Sequence, residues 1–178
     1  MNDDDTQIIS FGMKMLKTII IGIIIAIIIG AFTGTLVKTA VFLVCIFPLR
    51  QYAGGYHLKS KTACAIMSTL ILLLVVWFMK YEVLSGSVQV LIIICASSFI
   101  IGNAPVDNVD NPLNAVSKME FRKKTFMTLG AEIIVFVILF LLKSYSYSQI
   151  ICISVVLTAV LLMCGLIKNA YQEKEKMK

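Results

Sequence analysis

Residues 15–49 contain only two charged side chains, Lys17 and Lys38. This apolar run is too long for one helix across about 30 Å of hydrocarbon, and Thr33-Gly34-Thr35 offers a turn near its middle. We therefore predict a short helical hairpin, with arms at approximately 17–33 and 36–49. A cleaved signal peptide fits less well, because the chain opens on the acidic stretch "NDDD" and the apolar run is about twice as long as such a peptide needs.

Four more apolar runs follow the hairpin, at approximately 63–79, 88–104, 125–142 and 149–167. Hydrophobic residues make up 59% of the 178 residues, and this is more apolar surface than a soluble core of this size can bury. We predict an all-α integral membrane protein with about six transmembrane helices. Residues 1–178 form a single polytopic membrane domain in this interpretation.

The basic residues indicate an orientation for the predicted helices. If the N-terminus is cytoplasmic, 13 of the 16 lysines and arginines lie on the cytoplasmic side, and only Lys38, Lys80 and Lys143 lie outside. The positive-inside rule therefore favours a cytoplasmic location for both termini and for the segment between the second and third spans. Because these residues lie beside span ends, topology and anionic headgroups account for the net charge of +6, and we expect no nucleic-acid partner.

One of the five cysteines has an unusual position. An odd number of cysteines, with none in a predicted external loop, argues against a disulfide framework. Four fall inside predicted spans, where small buried side chains are ordinary: Cys45, Cys95, Cys152 and Cys164. Cys64 instead lies in the first turn of the third span, shortly after Lys59 and Lys61. A helix N-terminus and nearby cations both favour thiolate over thiol, as a nucleophilic cysteine requires.

His57 is the only histidine of the chain, and it precedes Cys64 by seven residues. An imidazole can take the proton of a thiol and later return it to a leaving amine. On one continuous helix the two residues would be about 10.5 Å apart along the axis. The segment must therefore fold back for the two to meet, and Gly54-Gly55 supplies the backbone freedom to do so. An interfacial histidine and an unrelated interfacial cysteine are the alternative interpretation.

Two further residues are candidates for supporting roles, and a metal site is a competing idea. Arg50 anchors the end of the second span, pairs with a carboxylate of a substrate or fixes the loop through bidentate hydrogen bonds. Glu132, inside the fifth span, has three open roles: to orient His57, to pair with Arg50 or to stay protonated between helices. One histidine and one nearby cysteine supply two of the three or four ligands that zinc needs, so we expect neither a metal nor another cofactor.

The ordered set Arg50, Gly54-Gly55, His57 and Cys64, between two apolar spans, resembles the signature of the AgrB family. This family comprises the membrane cysteine endopeptidases of peptide quorum-sensing systems. The segment "APVDNVDNPLN" followed by "FRKKT" is similar to the family's Ala-Pro segment, cytoplasmic loop and basic cluster. The length of the chain and its pattern of spans also agree with the family.

The resemblance implies a protease and cyclase of the bacterial cell membrane that acts on an AgrD-like precursor peptide. It makes Cys64 the nucleophile and His57 the general base and acid, at the cytoplasmic side. The enzyme removes the acidic C-terminal tail of the precursor through an acyl-thioester intermediate, and a thiolactone or lactone ring then closes. The resemblance also implies a homodimer, and it leaves the roles of Arg50 and Gly55 less defined.

A non-enzymatic membrane component, such as a peptide exporter or a structural partner, is the alternative function. The pairing of His57 with Cys64 in a chain with no other histidine favours the enzyme. The sequence contains no phosphate-binding loop that would power transport, so we expect no nucleotide partner.

Overall fold

The computed structural model describes residues 20–55, 61–81, 84–106 and 114–176, and the side chains of residues 61–66, 173 and 176 lie outside that description. Six α-helices occupy these ranges: α1 Ile20–Thr33, α2 Leu36–Ala53, α3 Lys61–Lys80, α4 Gly86–Asn103, α5 Ala115–Leu141 and α6 Tyr145–Lys176. The predicted all-helical fold is confirmed.

Four of the described helices are long and apolar enough to cross a membrane, namely α2, α4, α5 and the Tyr145–Gln172 part of α6. The described apolar parts of α1 and α3, Ile20–Thr33 and Met67–Lys80, are shorter. Large apolar side chains are exposed on the longer helices, such as Leu91 on α4 and Ile134 on α5, as expected where lipid is the solvent. The helices fit a multi-pass membrane protein, and the count of six spans and the cytoplasmic termini stay predictions.

The chain forms two compact units, Met1–Thr39 with Leu58–Lys80 and Ala40–His57 with Tyr81–Lys178. In the first unit, a tight turn at Gly34 (φ 70°) follows α1, in the position that the sequence predicts. The Thr35 amide closes the turn by donating to the Gly30 carbonyl over 2.8 Å. Lys38 Nζ donates to the carbonyl of Met79 over 3.1 Å, at the end of α3.

The core of the second unit lies around α6, which packs against both α4 and α5. Its buried side chains come from four helices and from the segment that follows α4: Leu49, Ala53, Ile93, Ala96, Ile100, Ala104, Val106, Leu129, Phe136, Ile151, Cys152, Val155 and Leu162. Leu49 and Ala53 belong to the last turns of α2 and are fully buried. The end of α2 is therefore built into this core.

A buried glutamine holds the first turn of α4 against the first turn of α6. The Nε2 amide of Gln89 donates to the carbonyls of Leu84 (3.0 Å) and Tyr145 (3.3 Å). Its Oε1 accepts a hydrogen bond of 2.6 Å from the Ser148 hydroxyl. Gln89 is completely buried, and these partners satisfy both ends of its side-chain amide.

A second glutamine, Gln149, continues this arrangement into the connection between α3 and α4. Its Oε1 accepts from the Leu84 amide over 3.2 Å, and its Nε2 donates to the Tyr81 carbonyl over 3.1 Å. We call Gln89, Ser148 and Gln149 the amide network. It supplies side-chain partners to the backbone of Tyr81 and Leu84 between α3 and α4 and of Tyr145 at the start of α6.

Candidate active site

The candidate site begins where α2 ends. Arg50 is half-buried in the last turn of α2, and its carbonyl accepts a 3.3 Å hydrogen bond from the Gly54 amide. The buried residues Leu49 and Ala53 flank this turn and hold it in the core of the second unit. The chain therefore leaves α2 from a fixed position.

Gly54 and Gly55 both adopt conformations that other residues rarely take. Their φ angles are 76° and 128°, in the region that favours glycine. Gly54 forms an isolated parallel β-bridge with Val106, whose amide donates to the Ala53 carbonyl over 3.0 Å. A methyl group at Gly54 would overlap the Val106 carbonyl oxygen, and one at Gly55 would lie 3.1 Å from the Leu161 carbonyl oxygen. Both glycines are thus in close contact with the backbone of other segments.

The predicted catalytic residues follow this point. His57 lies outside the described residues. Cys64 is the fourth residue of α3, and its side chain lies outside the description. The proximity of the imidazole to the thiol therefore stays a prediction.

Glu132 of α5 is buried against α6, with 7% of its surface exposed. The Ser154 hydroxyl donates to Glu132 Oε2 over 2.9 Å, and Thr158 in turn donates to the Ser154 carbonyl over 3.0 Å. Within the described ranges, no group donates to Glu132 Oε1, and the carboxyl makes no ion pair with Arg50. The contact with Ser154 places the carboxyl between α5 and α6, and the role of Glu132 stays a prediction.

The start of α5 lies beside the end of α2. The rings of Tyr52 and Phe121 are 6.1 Å apart, and Lys124 Nζ lies 5.5 Å from the centroid of the Tyr52 ring. Lys124 also pairs with Glu120 over 2.7 Å, and this hydrogen bond lowers the pKa of the exposed Glu120 carboxyl. These contacts bring part of the basic cluster "FRKKT" to the helix end that carries Arg50.

Three contacts of this region have no local sequence signal. Val106 and Leu161 touch the glycines through their backbone, and Ser154 binds Glu132 from another helix. The Ala-Pro pair that directly precedes Val106 does not by itself predict a contact with Gly54. Among the residues that the structure describes, no three His, Cys, Asp or Glu side chains are grouped to bind a metal ion.

Comparison with known proteins places the chain in a family. Residues 1–162 match the family "Accessory gene regulator B" (AgrB). An AgrB-like protein of Clostridium perfringens strain SM101 is 24% identical over 167 residues, which cover 90% of this chain and 78% of that protein. AgrB-like protein 2 of C. perfringens strain 13 is 25% identical over 130 residues, covering 69% of this chain and 61% of that protein.

No solved structure matches the chain. The family match nevertheless extends over nearly its whole length, from the first residue through most of α6. It includes Arg50, Gly54-Gly55, His57 and Cys64 in one continuous region. The chain therefore belongs to the AgrB family.

Proposed function

We propose that this chain is a membrane-embedded cysteine endopeptidase that removes the C-terminal tail of an AgrD-like precursor and cyclises the remaining peptide. Cys64 is the nucleophile, and His57 is the general base and acid. The observation that carries the proposal is the pairing of the only histidine with a cysteine at the start of α3, in a chain of the AgrB family. The active segment faces the cytoplasm, and the enzyme works as a homodimer.

In the first step, His57 takes the proton of the Cys64 thiol, and the sulfur attacks the carbonyl carbon of the bond that precedes the tail. The C–N bond breaks, and the imidazolium gives the proton to the leaving amine. The products are the free tail and a thioester between the precursor and Cys64.

In the second step, a cysteine thiol of the precursor loses its proton to His57 and attacks the thioester carbonyl. The C–S bond to Cys64 breaks, a thiolactone ring closes, and the Cys64 sulfur receives the proton. A precursor with serine at that position would close a lactone by the same route. Because one thioester replaces another, the thiolactone exchange is nearly isoenergetic, whereas water would discharge the intermediate irreversibly.

The reaction therefore needs a site that favours an internal thiol over water. Cys64 is the fourth residue of the apolar helix α3, and a site at that helix end that limits access of water would protect the thioester from hydrolysis. Holding the precursor thiol close to the thioester gives it a high effective concentration. In this scheme Arg50 pairs with a carboxylate of the precursor, and Glu132 holds α5 to α6 through its hydrogen bond with Ser154.

The proposal predicts that Cys64→Ser and His57→Ala each reduce tail release by at least about 1000-fold, because each removes a group that acts in bond breaking. The measurement is co-expression with the precursor, followed by mass spectrometry of the tail and the ring. Membrane insertion, followed by fractionation, is expected to stay unchanged.

Cys95→Ser is the matched control, because Cys95 is an exposed cysteine of α4. It removes a thiol from the chain and is expected to leave cleavage at the wild-type rate. Wild-type cleavage by either the Cys64 or the His57 variant would overturn the catalytic assignment. Loss of cleavage in the Cys95 variant would show that the assay responds to thiol loss in general.

A further inference from the structure

The contact between Gly54 and Val106 joins two well-anchored segments. On one side, Ala53 and Leu49 of α2 are fully buried. On the other, Ala104 and Val106 are buried just after α4. The Val106 amide donates to the Ala53 carbonyl over 3.0 Å, and the parallel bridge continues through Gly54. Neither segment can shift by itself without disturbing the core.

This contact restricts residue 54 more than a helix end requires. A helix commonly ends on one residue with positive φ, usually glycine. Here two successive residues have positive φ, and both touch backbone carbonyls of other segments, Val106 for Gly54 and Leu161 for Gly55. Backbone atoms cannot rotate away as a flexible side chain can. The structure therefore specifies the direction in which the chain leaves α2.

That direction matters because His57 follows Gly54 by three residues. Three residues span at most about 11 Å, so the position of Gly54 limits where the imidazole can lie. Misplacing a catalytic group by about 1 Å can cost on the order of 100-fold in rate. We propose that Gly54, held by its backbone bridge to Val106, is a positioning residue for His57. This inference rests on the proposed function, in which His57 is the catalytic base.

The decisive variant is Gly54→Ala, because its added methyl group collides with the Val106 carbonyl oxygen. Three controls separate the causes of any defect. Gly34→Ala imposes positive φ where no heavy atom lies within 4 Å of the added methyl group, and Gly102→Ala adds a methyl in open space on α4. Ile151→Ala removes a fully buried side chain of the core and reproduces a general loss of stability.

Two readouts distinguish a displaced imidazole from a weakened fold. The first is tail release by the folded fraction of each variant, with kcat and KM determined separately. The second is the pH profile of iodoacetamide alkylation at Cys64, in a background in which the other four cysteines are replaced by alanine. General instability lowers the amount of folded protein but leaves this profile unchanged, whereas loss of contact with His57 shifts it.

We expect Gly54→Ala to lower kcat by about 100-fold, with little change in KM, and to move the alkylation profile toward that of His57→Ala. The three controls keep the wild-type profile, and their folded fractions keep kcat within about threefold. A wild-type kcat and profile in Gly54→Ala overturn the inference, and so does an equal shift in Ile151→Ala. Wild-type cleavage by Cys64→Ser is a different outcome, which refutes the proposed function itself.

If Gly54→Ala does not accumulate in the membrane, Gly55→Ala gives the same comparison with a milder contact. Its added methyl would lie 3.1 Å from the Leu161 carbonyl oxygen, so the neighbour must move by only a few tenths of an ångström. The alkylation profile of this variant is expected to shift in the same direction. A wild-type profile in Gly55→Ala overturns the inference.

Discussion

Side chains fix the N-terminal end of α4, whereas backbone atoms fix the segment that leaves its C-terminal end. At the first end, Gln89 and Gln149 reach to carbonyl and amide groups of nearby connections. At the second, Gly54 and Val106 meet through their main chains. The two ends are about 27 Å apart along α4. Side-chain hydrogen bonds therefore hold one end of α4 in the core, and a backbone bridge holds the segment after its other end.

The two kinds of contact should differ in what they control, namely the stability of the fold or the direction of the chain after α2. A glutamine side chain has several torsions, so it can make its hydrogen bonds over a range of backbone placements. A backbone bridge has no such freedom and specifies both a glycine and a direction for the chain. We therefore expect changes in the amide network to affect mainly the free energy of unfolding, and changes at Gly54 to affect mainly the chemistry.

The largest effect expected is a labelling difference between the N-terminal end of α4 and the start of α3, which carries Cys64. The asymmetry of basic residues predicts that these two helix ends lie on opposite sides of the membrane. A membrane-impermeant maleimide applied to intact cells should label Ser85→Cys and Ser146→Cys in a background without other cysteines. A variant that retains only Cys64 should stay unlabelled until the cells are permeabilised. Labelling of Cys64 in intact cells would contradict the cytoplasmic location of the active segment.

The next effect is on stability, through Gln89→Leu. Leucine has a similar size, but it removes the amide that donates to the carbonyls of Leu84 and Tyr145 and accepts from the Ser148 hydroxyl, and it leaves Ser148 only its bond to the Tyr145 carbonyl. We expect the free energy of unfolding in detergent to fall by about 3 kcal/mol. Ser98→Ala is the control, since this exposed hydroxyl donates to the Ile94 carbonyl of its own helix. An altered alkylation profile at Cys64 in Gln89→Leu would contradict the expectation that the amide network affects stability and not the chemistry.

The smallest effect expected is at Glu120, near the end that carries the glycines. Because Lys124 lowers the pKa of Glu120 in the folded protein, the pair stabilises the fold above the unfolded pKa of about 4.3. That contribution is lost as the pH falls through the lower folded pKa. Glu120→Gln should therefore reduce stability slightly at pH 7 and leave it unchanged in strong acid. Added salt should weaken the difference, because both side chains are exposed.

The Glu120 measurement compares thermal unfolding of the two proteins as a function of pH. Glu175→Gln, in the exposed tail of α6, is the matched control for the loss of one carboxylate. An equal effect of both substitutions would indicate a dependence on net charge and not on the pair with Lys124.

Apolar runs predict where these helices lie, because burial in lipid selects uncharged side chains. They do not predict where the helices end. The fifth span was predicted from residue 125, but α5 begins at Ala115, and α6 continues to Lys176 beyond the predicted 149–167. Lysine, glutamate and methionine favour helix in water as well as near lipid, so the helices extend past the apolar segments. Hydropathy therefore predicts which residues face lipid, and it does not predict the first and last residues of a helix.

The candidate site was predictable in its residue types and not in its contacts. A glycine pair between two spans indicates an unusual backbone conformation, and both glycines have positive φ. The sequence does not say which atoms they touch, because Val106 and Leu161 contribute main-chain groups that any residue possesses. Likewise, the burial of Glu132 follows from its place in a span, but its partner Ser154 is one of several hydroxyl groups in α6.

The bounds of α5 also impose a length on the surrounding lipid. From Thr125 to Leu141 the helix has 17 residues without a basic side chain, with Lys124 before them and Lys143 soon after. Those residues rise about 26 Å, which is less than the hydrocarbon thickness of about 30 Å in a typical bilayer. If α5 spans the bilayer, tilting it would draw a lysine toward the acyl chains, so we expect a small tilt, with thinning of the bilayer or snorkelling of the flanking lysines to close the difference. In that case, a change in membrane thickness would exert a force on the compact unit that contains both α5 and Gly54.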